Sequence, residues 1–322
     1  MSDRDNNPVD LNLPPVLCIG DFPANANALV QARLAPVTLA DIDRDDALRE
    51  RIGAIVTRSN YDIDIALIER LPSLKIIATS GVGFDRIPVE FARERGIVVA
   101  NTPDLLNAAV AELTIGLMLA LLRQLPRADS FVRSGAWSKG AFALGTSLAS
   151  KRVGIIGMGR IGKEIARRLA PFDVEIAYYG RTRQALSHES FAHPQALARW
   201  SDILIAACPG GSDTRHLVDA SVLDALGAQG ILVNIARGSV VDEEALVQAL
   251  ERKSIAGAAL DVFEHEPLEA SALCTFDNVV LSPHIGSATH ETRLAMAQLT
   301  IDNVVSFFAK GKAITPVVST NR

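Results

Sequence analysis

The chain has 322 residues, 48% of them hydrophobic, with a formal net charge of −5. That is apolar material for two cores of ordinary size, and neither the acidic balance nor any Lys/Arg block gives the footprint of a nucleic-acid-binding protein. Cys18, Cys208 and Cys274 stand apart with no CxxC or metal-ligand spacing, which argues against a metal site or a disulfide framework and fits a reducing, cytoplasmic setting.

Residues 1–15 are polar and acidic, unlike a signal peptide, and read as a frayed arm. Strand-like apolar runs at 16–19, 54–57, 74–78 and 97–100 then alternate with segments 25–34, 65–71 and 89–95, which space apolar residues by three and four. This βαβα alternation predicts an open parallel sheet with helices on both faces. A long apolar helix at 107–125 and a second at 127–137 follow. The window 113–122 contains Thr114 and Gly116 and stops at Arg123; it is too short to span a bilayer and reads as buried. The alternation restarts at 153–156 and runs through 174–179, 203–207, 231–235, 258–262 and 279–282. A final helix at 289–310 comes after the second unit is complete and is expected to return to the first.

The expected fold is therefore α/β, with two doubly wound parallel-sheet domains of Rossmann or flavodoxin type. The second is inserted into a discontinuous first, with boundaries 1–101 and 288–322 for one and 102–287 for the other.

The restart carries the most informative stretch, VGIIGMGRIG, where Gly157, Gly159 and Gly162 are spaced G-x-G-x-x-G between a strand and an amphipathic helix. Gly157 permits the tight turn, Gly159 lets a pyrophosphate approach the backbone, and Gly162 lets helix pack on strand. The helix N-terminus offers N–H groups and positive dipole to the phosphates. With strand before and helix after, the pattern predicts dinucleotide binding in 102–287 and leaves substrate binding to the discontinuous domain.

The strand at 174–179 ends where a dinucleotide site reads the adenosine ribose. A site for NAD places Asp or Glu there, but this chain reads Gly180-Arg181-Thr182-Arg183. Two guanidinium groups beside a hydroxyl can fork onto a 2′-phosphate, which predicts NADPH/NADP+, with Arg181 as the main contact. The plainer alternative is that both arginines are merely solvated.

Ligands of open α/β sheets bind at the carboxyl ends of the strands. Three polar residues stand at such ends: Arg237 after 231–236, Glu266 after 258–262 and His284 after 279–283. Together they suit hydride transfer to a 2-keto acid. The keto oxygen needs a proton donor, which an imidazolium supplies near neutral pH. A carboxylate beside an imidazole favours that charged form, and an arginine can hold the substrate carboxylate and polarise the keto oxygen. Each alone has a blander reading: a hydrogen-bonded structural histidine, a solvated loop carboxylate, an arginine capping a strand end. Glu264 and His265 read as solvated loop charges.

These residues lie in long motifs: GVGFDRIPV at 81–89, NTPDLLNAAVAELTIGLML at 101–119, the Gly-rich turn, NIARGSVVDEEAL at 234–246, LDVFEHEP at 260–267 and SPHIGSAT at 282–289. Through them the chain resembles the D-isomer-specific 2-hydroxyacid dehydrogenases over nearly its whole length. The resemblance implies a catalytic set Arg237, Glu266 and His284, with Val82 and Gly83 holding the substrate carboxylate through backbone N–H groups. It also implies cofactor contacts at Arg160, Ile161, Pro209, Ala236 and Asp261.

The RSGAW segment with Trp137, together with the GRTR stretch, looks most like the NADPH-dependent glyoxylate/hydroxypyruvate reductases and their relatives acting on hydroxyphenylpyruvate or 2-ketogluconate. By that analogy the protein is a homodimer with 107–125 at the interface, and Trp137 reaches the neighbouring substrate pocket; the alternative is that Trp137 packs at home. Formate-oxidising members carry glutamine where this chain has Glu266, so Glu266 points to keto-acid reduction. Other readings are a non-catalytic corepressor-like dinucleotide sensor and a 3-phosphoglycerate dehydrogenase. The intact catalytic set speaks against the first, and the lack of an appended regulatory domain against the second.

Overall fold

The computed structural model describes residues 13–317, so most of the arm expected at 1–15 lies outside the described residues. The chain divides into two compact units: residues up to Leu105 together with those from His290 onward, and Leu106–Thr289.

In the first unit, β1 (Val16–Ile19), β2 (Ala54–Arg58), β3 (Ile76–Ser80) and β4 (Val98–Ala100) form a parallel sheet in the order β1-β2-β3-β4. Val37 adds a single parallel bridge to Leu17 outside β1, and Pro316 an antiparallel one to Ala100 beyond β4. With the Val37 stub counted as a strand, the order is 2-1-3-4-5, the flavodoxin-like arrangement. The strands read as unbroken apolar runs because both faces are covered. Ala54 and Val56 of β2 meet residues of α1 (Ala24–Leu34) and of the C-terminal helix His290–Lys310. Ile55, between them, faces α2 (Leu39–Arg44), α4 (Ile65–Glu69) and α5 (Val89–Glu94) through Ile42, Ile68 and Ala92.

Apolar periodicity does not mark α2 or α3 (Asp46–Arg51). Only Ile42 of the two is buried, and they are held by local caps: Thr38 and Asp41 form a capping box, and the Asp45 side chain accepts the Leu48 N–H.

In the second unit the parallel strands are β5 (Arg152–Ile156), β6 (Glu175–Tyr179), β7 (Glu189–Phe191), β8 (Ile203–Ala206), β9 (Ile231–Asn234), β10 (Gly257–Leu260) and β11 (Val279–Leu281). They are ordered β11-β10-β9-β8-β5-β6-β7. Counted from the Gly-rich strand this is 3-2-1-4-5-6 with a seventh strand beyond, the dinucleotide-binding order, and its reversal falls between β5 and β8. The helices are α6 (Asn107–Leu122), α7 (Leu125–Arg133), α8 (Arg160–Leu169), α9 (Pro194–Trp200), α10 (Ala220–Leu226) and α11 (Glu243–Glu251), with His290–Lys310 of the first unit completing the count as α12. One face packs on α9, α10 and α11 through Leu197, Val222, Leu223 and Leu246. On the other, α6 lies against α8.

The helices expected at 107–125 and 127–137 are shorter and meet earlier. The chain breaks at Gln124, which is left-handed at φ 51°, and α7 then starts at Leu125, with Pro126 in its first turn and its axis turned by 59°. α7 stops at Arg133, and Trp137 stands on a separate short turn, Ala136–Lys139.

Candidate active site

β5 delivers the chain to Gly157, whose φ of +102° is open to glycine, and the Gly157 N–H donates to the Tyr179 carbonyl at 2.8 Å. A Cβ on Gly157 would lie 2.7 Å from the Cys208 backbone, so the turn abuts the exit of β8 at the reversal point. Gly162 is closed in the same way, because its Cβ would fall 2.1 Å from the Gly157 carbonyl oxygen. Gly159 is the opposite case: it precedes the first residue of α8, and a Cβ there would meet nothing within 4 Å. An open backbone at the N-terminus of a helix that starts with Arg160 and Ile161 fits a pyrophosphate.

At the end of β6 the residues Arg181, Thr182 and Arg183 are all exposed. Arg181 pairs with Asp213 at 3.1 Å, each side chain 72% exposed, so the guanidinium is held only by a weak surface ion pair. Pro209 lies just past β8, its carbonyl accepting the Thr214 hydroxyl at 2.7 Å. Between it and Gly157, burial pushes the Cys208 thiol up to about 11, and the nearby Arg181 charge offsets only part of that.

The exits of β9, β10 and β11 are neighbours and carry Arg237, Glu266 and His284 in that order. His284 Nδ1 lies 2.7 Å from Glu266 Oε2, and Glu266 Oε1 accepts the Phe263 N–H at 3.0 Å. Burial alone would raise the Glu266 carboxyl. The His284 hydrogen bond and charge, the Phe263 N–H and the Arg237 charge outweigh it and hold the group below its ordinary range. Arg237 is placed by its own strand: Asn234 Nδ2 donates to the Arg237 carbonyl at 3.1 Å, and Asn234 Oδ1 accepts the Ala236 N–H at 3.1 Å. The next residue, Gly238, has no room for a Cβ against the Phe263–Glu264 backbone, which ties the Arg237 segment to the loop bearing Glu266.

Asp261 and Ala236 are buried. One Asp261 oxygen accepts the Ser282 hydroxyl at 2.6 Å and the Ile285 N–H at 2.8 Å, and the other accepts the Gly286 N–H at 2.8 Å. These donors bracket His284, whose φ is +53°, a conformation uncommon outside glycine. The Asp261 carboxylate therefore fixes the loop that presents the imidazole.

Glu264 is not the solvated charge its sequence context suggested. Its Oε1 lies 2.6 Å from His216 Nε2, and its N–H donates to Glu243 at 3.1 Å. His216 Nδ1 in turn lies 3.7 Å from Asp242. His216 thus links three loops of the same edge. No spacing announces it, since its partner is 48 residues away. His265 is exposed as expected.

Trp137 is 68% exposed on its turn and is not gathered with these residues in the single chain. Val82 and Gly83 follow β3 in the first unit, partly buried. Among the described residues, no group of three His, Cys, Asp or Glu side chains is placed to hold a metal ion.

Residues 115–286 match the family model of the D-isomer specific 2-hydroxyacid dehydrogenase NAD binding domain. The chain is 48% identical over 271 residues to glyoxylate/hydroxypyruvate reductase A of Arabidopsis thaliana, covering 84% of this chain and 87% of that one. It is 45% identical over 270 residues to hydroxyphenylpyruvate reductase of Plectranthus scutellarioides, covering 84% and 86%. It is also similar to the crystal structure of an NADPH-dependent glyoxylate/hydroxypyruvate reductase from Sinorhizobium meliloti in complex with NADP and malonate, with a TM-score of 0.90, 43% identity, and 95% and 97% of the two chains covered. With its 3-2-1-4-5-6 sheet, its glycine turn and its Arg, Glu and His at neighbouring strand exits, the chain belongs to the D-isomer-specific 2-hydroxyacid dehydrogenase family and is an enzyme of that class with an NAD(P)-binding Rossmann domain.

Proposed function

We propose that this enzyme reduces small 2-keto acids, glyoxylate and hydroxypyruvate first, to glycolate and D-glycerate with NADPH. The observation that carries the reading is the 2.7 Å contact between His284 and Glu266, within reach of the Arg237 charge. The bound nicotinamide supplies the hydride. His284, with Nδ1 committed to Glu266, hands a proton from Nε2 to the keto oxygen as charge develops there. Glu266 stays ionised and stabilises the imidazolium. Arg237 pairs with the substrate carboxylate and polarises the carbonyl. In the first unit, the Val82 and Gly83 N–H groups are assigned to carboxylate binding.

For the cofactor, Gly159, Arg160 and Ile161 would take the pyrophosphate on the turn that Gly157 and Gly162 close, and Pro209, Ala236 and the Asp261 segment would hold the remainder. Arg181, Thr182 and Arg183 favour NADPH, because residues 180–183, which leave β6, include no Asp or Glu to accept a ribose hydroxyl. The Sinorhizobium meliloti structure, in complex with NADP, supports that preference. Exposed Leu125, Val132, Trp137 and Leu144 suit a homodimer in which Trp137 enters the partner's substrate pocket. The likeness to hydroxyphenylpyruvate reductase favours a bulkier 2-keto acid as the second reading.

The test is NADPH oxidation followed by absorbance with glyoxylate, hydroxypyruvate, phenylpyruvate and 2-ketogluconate in parallel, and NADH as the control cofactor. Turnover with the two smallest acids and NADPH supports the proposal, preference for a larger acid selects the second reading, and equal use of NADH removes the role given to Arg181.

A further inference from the structure

The loop after β3 is held from one side by the two residues that follow β4. Asn101 Nδ2 donates to the Val82 carbonyl at 2.8 Å. The Thr102 N–H donates to the Gly81 carbonyl at 2.9 Å, and Thr102 Oγ1 accepts the Gly81 N–H at 2.9 Å. Thr102 is fully buried.

In a trans peptide the C=O of one residue and the N–H of the next point in opposite directions. A Gly81 carbonyl drawn toward Thr102 turns the Val82 N–H away from it, and a Val82 carbonyl drawn toward Asn101 does the same to the Gly83 N–H. Two successive N–H groups are thereby aimed to one side, the backbone arrangement that makes an anion-binding concavity.

The clamp is itself anchored. The Thr315 hydroxyl donates to the Asn101 carbonyl at 2.6 Å, and the Thr315 carbonyl accepts the Asn101 N–H at 3.2 Å. Asn303, fully buried in α12, accepts the Thr315 N–H through Oδ1 at 2.8 Å and donates through Nδ2 to Thr315 Oγ1 at 2.9 Å. A buried asparagine costs stability unless its amide is used. Here it supports the segment that shapes the β3 loop.

We propose that Asn101 and Thr102 are positioning residues for the substrate carboxylate, orienting the Val82 and Gly83 N–H groups without touching the substrate themselves. The inference rests on the reading above that those N–H groups hold the carboxylate. It concerns binding of the carboxylate and not the proton transfer at His284, so its signature lies in KM.

The experiment is steady-state reduction of glyoxylate by Asn101→Ala, Thr102→Val and Thr102→Ser, with NADPH affinity measured by fluorescence and folding by thermal melt. Asn101→Ala and Thr102→Val are expected to raise the glyoxylate KM about 10- to 100-fold, the scale of a misplaced binding group. Changes in kcat should be much smaller and NADPH affinity unaltered, and Thr102→Ser, which keeps the hydroxyl, should restore KM. Melts that fall with KM unmoved assign the two residues to structure alone and overturn the proposal. If Thr102→Val does not fold, Asn101→Ala at the partly buried position decides the question in the same way. A wild-type enzyme that reduces no 2-keto acid overturns the underlying reading and this inference together, whereas an active wild type with unmoved variants overturns this inference only.

Discussion

His284 Nδ1 and Glu266 Oε2 lie 2.7 Å apart, and the other Glu266 oxygen is bound to the Phe263 N–H, so carboxylate and ring are both locked in orientation. A ring held through Nδ1 presents Nε2 as its one exchangeable site, the arrangement a general acid needs. His284→Ala is expected to lower kcat by about 10²- to 10⁴-fold while NADPH binding, read by fluorescence, is unchanged. Retained turnover would remove the proposed acid.

Glu266 gives a stability signature. Its carboxyl is held below the ordinary 4.5 in the folded protein, so around that pH the unfolded chain binds more protons than the native one. Its contribution is fully present above the unfolded value and is lost as the pH falls through the depressed one. Thermal melts of wild type and Glu266→Gln should differ by about 1.5 kcal/mol near neutrality, the scale of one hydrogen bond to a charged group. The gap should close on acidification below 4.5; a constant gap across that range would contradict the assignment.

Arg181 and Asp213 pair on the surface, both 72% exposed, so replacing the arginine should leave folding within about 0.5 kcal/mol of wild type. Arg181→Asp is expected to reduce the NADPH-to-NADH ratio of kcat/KM by about tenfold or more, corresponding to one lost charge-assisted contact with the 2′-phosphate. An unchanged ratio would show that the arginine is only solvated.

Asp261 has a structural role of its own, apart from the cofactor contact proposed for it. Asp261→Ala leaves the Ser282 hydroxyl and the Ile285 and Gly286 N–H groups without their acceptor, at a cost of about 3 kcal/mol or more. The expected result is a melting temperature lower by roughly 6–12 °C, with kcat reduced because the left-handed backbone at His284 loses its support. A melt within error of wild type would show that the loop holds itself.

The two sheets were legible because parallel strands covered on both faces read as continuous apolar runs, and the glycine turn was legible because strand, turn and helix occur together. The ends of β9, β10 and β11 could be found from chain position alone, which is why Arg237, Glu266 and His284 stood out. Three features were hidden for physical reasons. The polar helices α2 and α3 bury only Ile42 and depend on caps that a periodicity count does not see. The apolar run through residue 125 continues across the Gln124 break, where the turn is made by one left-handed residue. Glu264 looked like a loop charge because its partner, His216, approaches it only in the fold.

The packing of Gly162 against the Gly157 carbonyl separates two properties that could otherwise have been coupled. Strand, turn and helix meet there at backbone distance, so no side-chain substitution at those two positions can retune the phosphate cradle without breaking it. The Arg181–Arg183 loop is exposed and lightly held. If, as proposed, that loop reads the 2′-phosphate, the choice between the anabolic and the catabolic nicotinamide pool lies in a segment free to vary, and a lineage could exchange one pool for the other by a few surface replacements with the glycine turn left intact.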